Sequence, residues 1–580
     1  MKHLKYLNKF LWKYKTTLIL GLAFVFITNI FAIYPAEFVR NALDSLLDKL
    51  NDKNTKDISL ILIKYGCLIV LFAILKGVFL YLTRQTIIVM SRKIEYDLKN
   101  EVYEKYQKLS IEFYKKNRTG DLMNRITEDI TKVRMYLGPA IMYAINLSFL
   151  FSLIIYKMLL VSTVLTTYVL FPLPLLALSV YFVSNRINKK SEKVQAQLST
   201  ITAISQESFS GIRIIKSFTN EENSLYVFYQ SCKEYTKRQI ELIKIEAMFI
   251  PLIITLIGIS TVLTIYIGGL EVFKGNITTG NIAEFIIYVN MLAWPVASVG
   301  WVTSLVQRAA ASQERINEFL QTKEDIYNTK NTDTSIMGKV DFNDVSLIYS
   351  DTNIEALTKI NLTINTGEQI GIFGKTGSGK TSIVNLICRL YDATHGEIKI
   401  DNQDIRSHNL DILRSSIGYV PQDGYLFSGT IKDNIGFAKD EINEAGIVNA
   451  ARKAEMLDEI NSFPNKFNTI IGERGIQLSG GQRQRLAIAR VFYKNPQLYI
   501  FDDCLSAVDA NKEQKILNNL KKETKNKTTI IISHRISTIE ESDNIIVLDE
   551  GRIIEEGSHK QLLENQSFYS QIHVNQTHNQ

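Results

Sequence analysis

The sequence predicts two architectures in series. A polytopic α-helical membrane domain of six spans with long cytoplasmic extensions (residues 1–315) is followed, past a linker (316–336), by an α/β P-loop domain carrying a helical subdomain (337–580). Three observations carry that reading. Long uncharged runs crowd the first 310 residues, whereas the remainder alternates apolar and polar residues as a globular α/β domain does. Several of the runs reach the length of about 20 residues that a helix needs to cross a hydrocarbon core of roughly 30 Å. Near residue 370, an apolar strand runs straight into a glycine-rich loop and an amphipathic helix.

At 580 residues the chain is too long for one ordinary domain. Its net charge of +7 is spread without a single-sign tail, which gives no case for a nucleic-acid partner. Cys67, Cys232, Cys388 and Cys504 are far apart with no CxxC spacing, so neither a zinc site nor a disulfide framework is expected.

Spans are expected near residues 16–38, 58–82, 139–159, 162–184, 244–269 and 279–303. Ahead of the first, Lys2, Lys5, Lys9, Lys13 and Lys15 interleave with Leu4, Leu7, Phe10, Leu11 and Tyr14, the pattern of an amphipathic helix at a membrane surface. A cleaved signal peptide is the alternative, but the apolar run is too long and lacks a small-residue cleavage site. Lys64, Lys76, Lys157 and Glu284 interrupt the apolar runs, and charges within a span are costly. Lys76 and Glu284 either line a substrate path or serve structure, in a buried pair or by reaching toward an interface. Spans three and four, and five and six, are joined by short links, whereas residues 85–138 and 186–243 are long and rich in Lys and Arg. Basic segments inside and short loops outside put both termini in the cytoplasm of a multi-pass cell-membrane protein. Ile94, Leu98, Val102, Tyr106, Leu109 and Phe113 recur at helical spacing, so the long segments read as helices that turn back at tips near Phe113 and Gly211.

In the second half, the strand at 369–373 opens into Gly374, Lys375, Thr376, Gly377, Ser378, Gly379, Lys380, Thr381 and Ser382, the G-x-x-x-x-G-K-[ST] phosphate loop. Its glycines let backbone N–H groups wrap phosphates at the positive end of a helix. Lys380 is expected to reach the β- and γ-phosphates of ATP and Thr381 to bind Mg²⁺. Asp502, ending the strand "PQLYIFDD", is the expected Mg²⁺ carboxylate. Between these motifs, Ser479, Gly480 and Gly481 open a second helix as another anion-binding turn. A dimer has a use for two such turns, if each nucleotide is sandwiched between one chain's loop and the other's turn.

These residues carry a resemblance over nearly the whole chain: it is similar to a half-transporter of the ABC exporter family, with six membrane helices fused to one nucleotide-binding domain. "LSGGQ" (Leu478, Ser479, Gly480, Gly481, Gln482) resembles the family's signature motif, which contacts the partner's nucleotide. The resemblance implies that Tyr349 stacks on adenine, that Gln422 senses Mg²⁺, and that His534 contacts the γ-phosphate. It also implies a D-loop through Ser506, Ala507 and Asp509, a "GERG" contact loop at 472–475, and coupling helices at the two tips. The expected assembly is a dimer of 12 helices and two nucleotide sandwiches. Fast members of the family place glutamate after the Walker B aspartate as the base for the attacking water; this chain has Asp503. That stem is one methylene shorter, and a misplacement of about an ångström costs about 10²-fold in rate. The resemblance is therefore to the degenerate chain of a heterodimer whose mate carries the glutamate, although the retained His534 leaves a slow homodimer open. The apolar and aromatic sixth span suits a small hydrophobic or amphipathic substrate, such as a drug or lipid, and helix packing explains those residues equally well. A nucleotide-regulated sensor or channel is the rival from another class.

Overall fold

The computed structural model describes residues 2–51, 55–328, 335–472 and 478–578. The chain divides into two compact units, Met1–Lys105 with Gly120–Thr322, and Tyr106–Thr119 with Lys323–Gln580.

In the first unit, six helical stretches among the described residues are long and apolar enough to cross a membrane: Lys15–Lys49, Ile58–Lys108, Thr119–Val161, Thr163–Ser210, Glu221–Phe273 and Thr279–Leu320. The six expected spans fall on them one for one. The stretches are longer than a bilayer requires because polar helix continues past the apolar part, as the 39-residue helix Pro172–Ser210 illustrates. On the helix Val89–Lys108, Ile94, Leu98 and Val102 are buried along one face, as their spacing predicts. That face ends with the helix at Lys108; Leu109 and Phe113 lie beyond a turn, and Phe113 belongs to a separate short helix, Ile111–Lys116. At the N-terminus, Leu7 and Phe10 are buried while Lys9 pairs with Glu101 at 2.6 Å and Lys13 with Asp97 at 2.7 Å.

Glu284 is 1% exposed and is held by Arg40 at 3.1 Å and by the Tyr288 hydroxyl at 2.9 Å. Glu37 receives Lys157 at 2.9 Å and Arg40 at 3.5 Å, so four charges join three spans. Buried charges are tolerable when paired in this way, which is the structural alternative for Glu284. Lys76 lies exposed on the helix Thr55–Thr83.

The second unit is built on a six-stranded sheet in the order Arg552–Gly557, Asn544–Asp549, Gln369–Gly374, Thr528–Ser533, Leu498–Asp502, Ile417–Val420. All pairings are parallel except the first, between Arg552–Gly557 and Asn544–Asp549. Alternate residues enter two cores, since strand side chains alternate faces. Phe373, Tyr499, Phe501 and Ile531 pack with the helices Ile431–Gly436, Glu444–Lys453 and Gly480–Lys494, which form the helical subdomain. Ile370, Ile372, Leu498, Ile500 and Ile530 pack instead with the helix Lys380–Ile387 and an antiparallel sheet led by Val340–Tyr349 and Ile354–Ile364. Such two-sided burial is why the parallel strands read as continuous apolar runs. Of the expected linker, 316–320 continue the helix Thr279–Leu320, and 329–334 lie outside the described residues.

Candidate functional site

Strand register brings the candidate residues to one edge. Phe373 is paired with Ser533 and Ile532 with Asp502, so Gly374, His534 and Asp503 leave neighbouring strand ends together. The strand Ile417–Val420 pairs beside Leu498–Asp502 and delivers Gln422 to the same edge. Carboxyl ends of parallel strands are where open α/β sheets bind ligands.

The loop Lys375–Gly379 turns from that edge into the helix Lys380–Ile387. Gly379 has φ +99°, and an added Cβ would meet the Ala356 carbonyl oxygen at 2.5 Å, so only glycine fits. At Gly377 a Cβ would find open space, a gap into which phosphates can approach the backbone. The Ser378 hydroxyl is buried with no hydrogen-bond partner among the described residues, an orphan that a bound phosphate would satisfy. Lys380 Nζ donates to the carbonyls of Gly374 and Lys375 at 2.7 Å each. Burial pushes its pKa down, against the pull of Asp503 and Asp502.

Asp502 is 2% exposed, and burial pushes its pKa up; Asp503 adds to this, while hydrogen bonds from Thr381 and Tyr419 oppose it. A metal cation would relieve that cost. The Thr381 hydroxyl and the Asp502 carboxylate, in hydrogen-bond contact, are oxygen donors that suit a hard cation such as Mg²⁺, and Gln422 at the same strand edge would add an amide oxygen. Among the described residues no cluster of three His, Cys, Asp or Glu forms a metal cage. Mg²⁺ characteristically takes one or two carboxylates together with substrate phosphates, so the donors present fit it.

Asp503 adopts φ +47°, a conformation that Asp tolerates better than most residues. Its N–H donates to the Ile532 carbonyl at 2.9 Å, which anchors the backbone. Its carboxylate lies between His534 Nδ1 at 2.8 Å and Gln422 Nε2 at 3.4 Å. Asp503, expected as the base for water, thus touches both the expected Mg²⁺ sensor Gln422 and the expected γ-phosphate contact His534. Tyr349 reaches the helix that follows this loop from another strand: its hydroxyl is 2.9 Å from Ser382 Oγ, and its ring meets Tyr391 edge-on at 5.1 Å.

The signature turn is tied to different elements. Ser479 Oγ accepts from the Gln482 N–H at 3.2 Å while Gln482 Oε1 accepts from the Ser479 N–H at 2.9 Å, a capping box that opens the helix Gly480–Lys494. Gln482 Nε2 also donates to Glu459 at 2.9 Å. The Ala507 N–H donates to Gln484 at 3.1 Å and Ser506 Oγ to the Asp503 carbonyl at 3.0 Å, so this stretch links the signature helix to the strand edge. Asp509 stands at the N-cap of the helix Ala510–Glu523: its backbone carbonyl accepts from the Glu513 N–H at 2.8 Å, and its side chain makes no capping hydrogen bond. Of "GERG", residues 473–475 lie outside the described residues. The sequence reading missed Tyr419, which hydrogen-bonds to Asp502 at 3.4 Å; it sits in the stretch "YVPQD" that flagged Gln422. It also missed Glu459, which gathers Gln482, Arg485 and Lys512 and had no local signal.

Residues 18–296 match the family described as the ABC transporter transmembrane region, and residues 357–506 match the ABC transporter family. The chain belongs to the ABC transporter family. It is 33% identical over 576 residues to an uncharacterized ABC transporter ATP-binding protein, YknU, of Bacillus subtilis, covering 99% of this chain and 97% of that one. It is also 33% identical over 540 residues to an ATP-dependent lipid A-core flippase of Syntrophus aciditrophicus, covering 93% and 88%. The solved structure of a bacterial Atm1-family ABC exporter with ATP bound shares the fold, with a TM-score of 0.79, 24% identity and 98% of both chains covered. This ABC transporter chain is a multi-pass membrane protein with its ATP-binding region fused behind six span-length helices.

Proposed function

We propose that this chain drives export of a hydrophobic or amphipathic substrate across the cell membrane by ATP-dependent alternating access, as one half of a dimer whose own Walker site is slow. Both termini face the cytoplasm. The observation that carries the reading is the convergence of Gln422, Asp503 and His534 beside the phosphate loop of a chain with six span-length helices. Lys380 and the loop N–H groups hold the phosphates, Thr381, Asp502 and Gln422 hold Mg²⁺, and Tyr349 stacks on the base. Mg²⁺, when bound, neutralises charge on the phosphates. Asp503 accepts the proton of the attacking water, with His534 orienting its carboxylate through the 2.8 Å contact. Its short stem holds that carboxylate back from the water, and this limits the rate.

Leu478–Gln482 of this chain closes over the mate's nucleotide, and an altered signature motif of the mate closes over this chain's. The intact signature here therefore completes the mate's site, and the mate is a second half-transporter with glutamate after its Walker B aspartate. A slow homodimer is the second reading, favoured by His534 remaining hydrogen-bonded to Asp503. Nucleotide binding favours the closed pair, and the switch is driven by that difference in affinity. The tip near Gly211 exposes Phe209, Ile214 and Phe218 by 77%, 64% and 79%, a surface suited to docking on a nucleotide-binding domain. In the membrane unit, a cavity of about 450 Å³ is lined by Phe151 and Val180 together with Ser184, Asn185, Asn188 and Gln307. Apolar walls with uncharged hydrogen-bonding groups suit an amphipathic guest, and relatives of this chain are named as a probable multidrug resistance transporter and a lipid A-core flippase. Reconstitution in vesicles tests the proposal: a transported fluorescent amphiphile should stimulate ATPase and move against its gradient. ATP binding without net movement would make the protein a sensor or channel instead.

A further inference from the structure

The short helix Ile111–Lys116 and its flanks belong to the same compact unit as the nucleotide site, although they lie more than 200 residues away in sequence. The contacts converge on the strand end that carries Tyr349. Lys116 donates to Ser350 Oγ at 2.9 Å and pairs with Glu112 at 2.7 Å, while Glu112 also accepts from Ser350. Ser110 donates to Asp325 at 2.9 Å and fixes the start of the segment. Between these anchors, the Lys115 ammonium lies 4.9 Å from the centre of the Tyr349 ring and 5.2 Å from that of Tyr391. Both distances are within reach of an attractive cation–π contact. The Tyr349 hydroxyl is in turn 2.9 Å from Ser382, on the helix that follows the phosphate loop.

We propose that Lys115 is a positioning residue for the nucleotide base: its ammonium on one face of Tyr349 fixes the ring so that the base stacks on the other face, linking base occupancy to this helix tip. A ring has two faces, so cation and base can flank it together. A cation behind the ring adds a restraint to the two already on it, the Ser382 hydrogen bond and the edge-on contact with Tyr391. Because coupling is reciprocal, a bound base strengthens the grip of Tyr349 on the tip by the same factor that Lys115 strengthens base binding.

The proposal rests on the ATP-binding reading above, and its test separates the two. Full-length protein in lipid nanodiscs is titrated with Mg–ATP and with Mg–tripolyphosphate, which has phosphates but no base, at matched thermal stability. Lys115→Met is expected to weaken ATP binding about threefold to fivefold while leaving tripolyphosphate affinity unchanged, and Lys115→Arg to restore it. In the Tyr349→Ala background, Lys115→Met should have no further effect, because the ring that transmits it is gone. Equal weakening of both ligands, no change for ATP, or tighter ATP binding would each overturn the proposal. The last result would mean that the ammonium occupies the face the base needs. Failure of the unaltered protein to bind ATP at all would instead remove the underlying reading.

Discussion

Replacing Asp503 by glutamate is the sharpest probe of the slow-site reading. The carboxylate now sits 2.8 Å from His534 and 3.4 Å from Gln422, on a backbone anchored through the Ile532 carbonyl. An added methylene advances the carboxylate by more than an ångström, and recovering correct placement is worth about 10²-fold in rate, or about 2.7 kcal/mol. The longer stem does not preserve both side-chain contacts, and loss of one hydrogen bond returns about 1 kcal/mol. The net expectation is therefore a rise of roughly 20-fold, with about 100-fold as the ceiling. The assay is steady-state ATPase of the purified chain alone in nanodiscs, with ATP affinity measured separately. Binding should be unchanged, because Asp503 is not among the groups that hold phosphate or metal. Equal or lower turnover in Asp503→Glu would refute the argument. So would brisk turnover of the unaltered chain that Asp503→Asn abolishes.

Three further outcomes are expected. Asp502 has its pKa raised by burial, so its stability contribution is full below the unfolded value of about 3.9 and is lost as pH rises through the raised folded value. At neutral pH, Asp502→Asn should therefore raise the melting temperature of the nucleotide-free protein while removing the tightening of ATP binding by Mg²⁺; calorimetry and a titration with and without the metal read both. Ser479→Ala removes the reciprocal cap of the helix Gly480–Lys494, costing about 1 kcal/mol in a chemical unfolding series. It should also lower the ATPase of the dimer more than it lowers ATP binding by this chain. Glu284→Gln leaves Arg40 with the longer Glu37 ion pair at 3.5 Å and should cost about 1–2 kcal/mol in thermal unfolding in detergent, less than the roughly 3 kcal/mol of a fully unpaired buried charge.

The membrane half was legible because its constraint is local. A helix must satisfy its own backbone in lipid, so length and apolarity alone mark a span. The phosphate loop was legible for a related reason, since glycine at 377 and 379 and lysine at 380 act through the backbone shape of one short stretch. The face Ile94–Leu98–Val102 was readable from spacing, whereas the helix break at Lys108, which detaches Phe113 from it, was not. Spacing records which residues would share a helix and is silent on where the helix stops. Glu459 had no signal at all, because an acid that collects a glutamine, an arginine and a lysine from elsewhere looks like any exposed glutamate in its own segment.

By itself, the sequence determined the six apolar spans, the strand–loop–helix that offers backbone N–H groups to phosphate, and the shortened acid at position 503. Each is a property of neighbouring residues, set by hydropathy, backbone freedom or the length of one side chain. Tertiary structure decided that Asp503 touches both Gln422 and His534, that Glu284 is paired with Arg40, and that Lys115 lies over Tyr349. The physical reason is that strand order and helix packing bring together residues from 31 to 244 positions apart, and those choices are made by burial of whole faces.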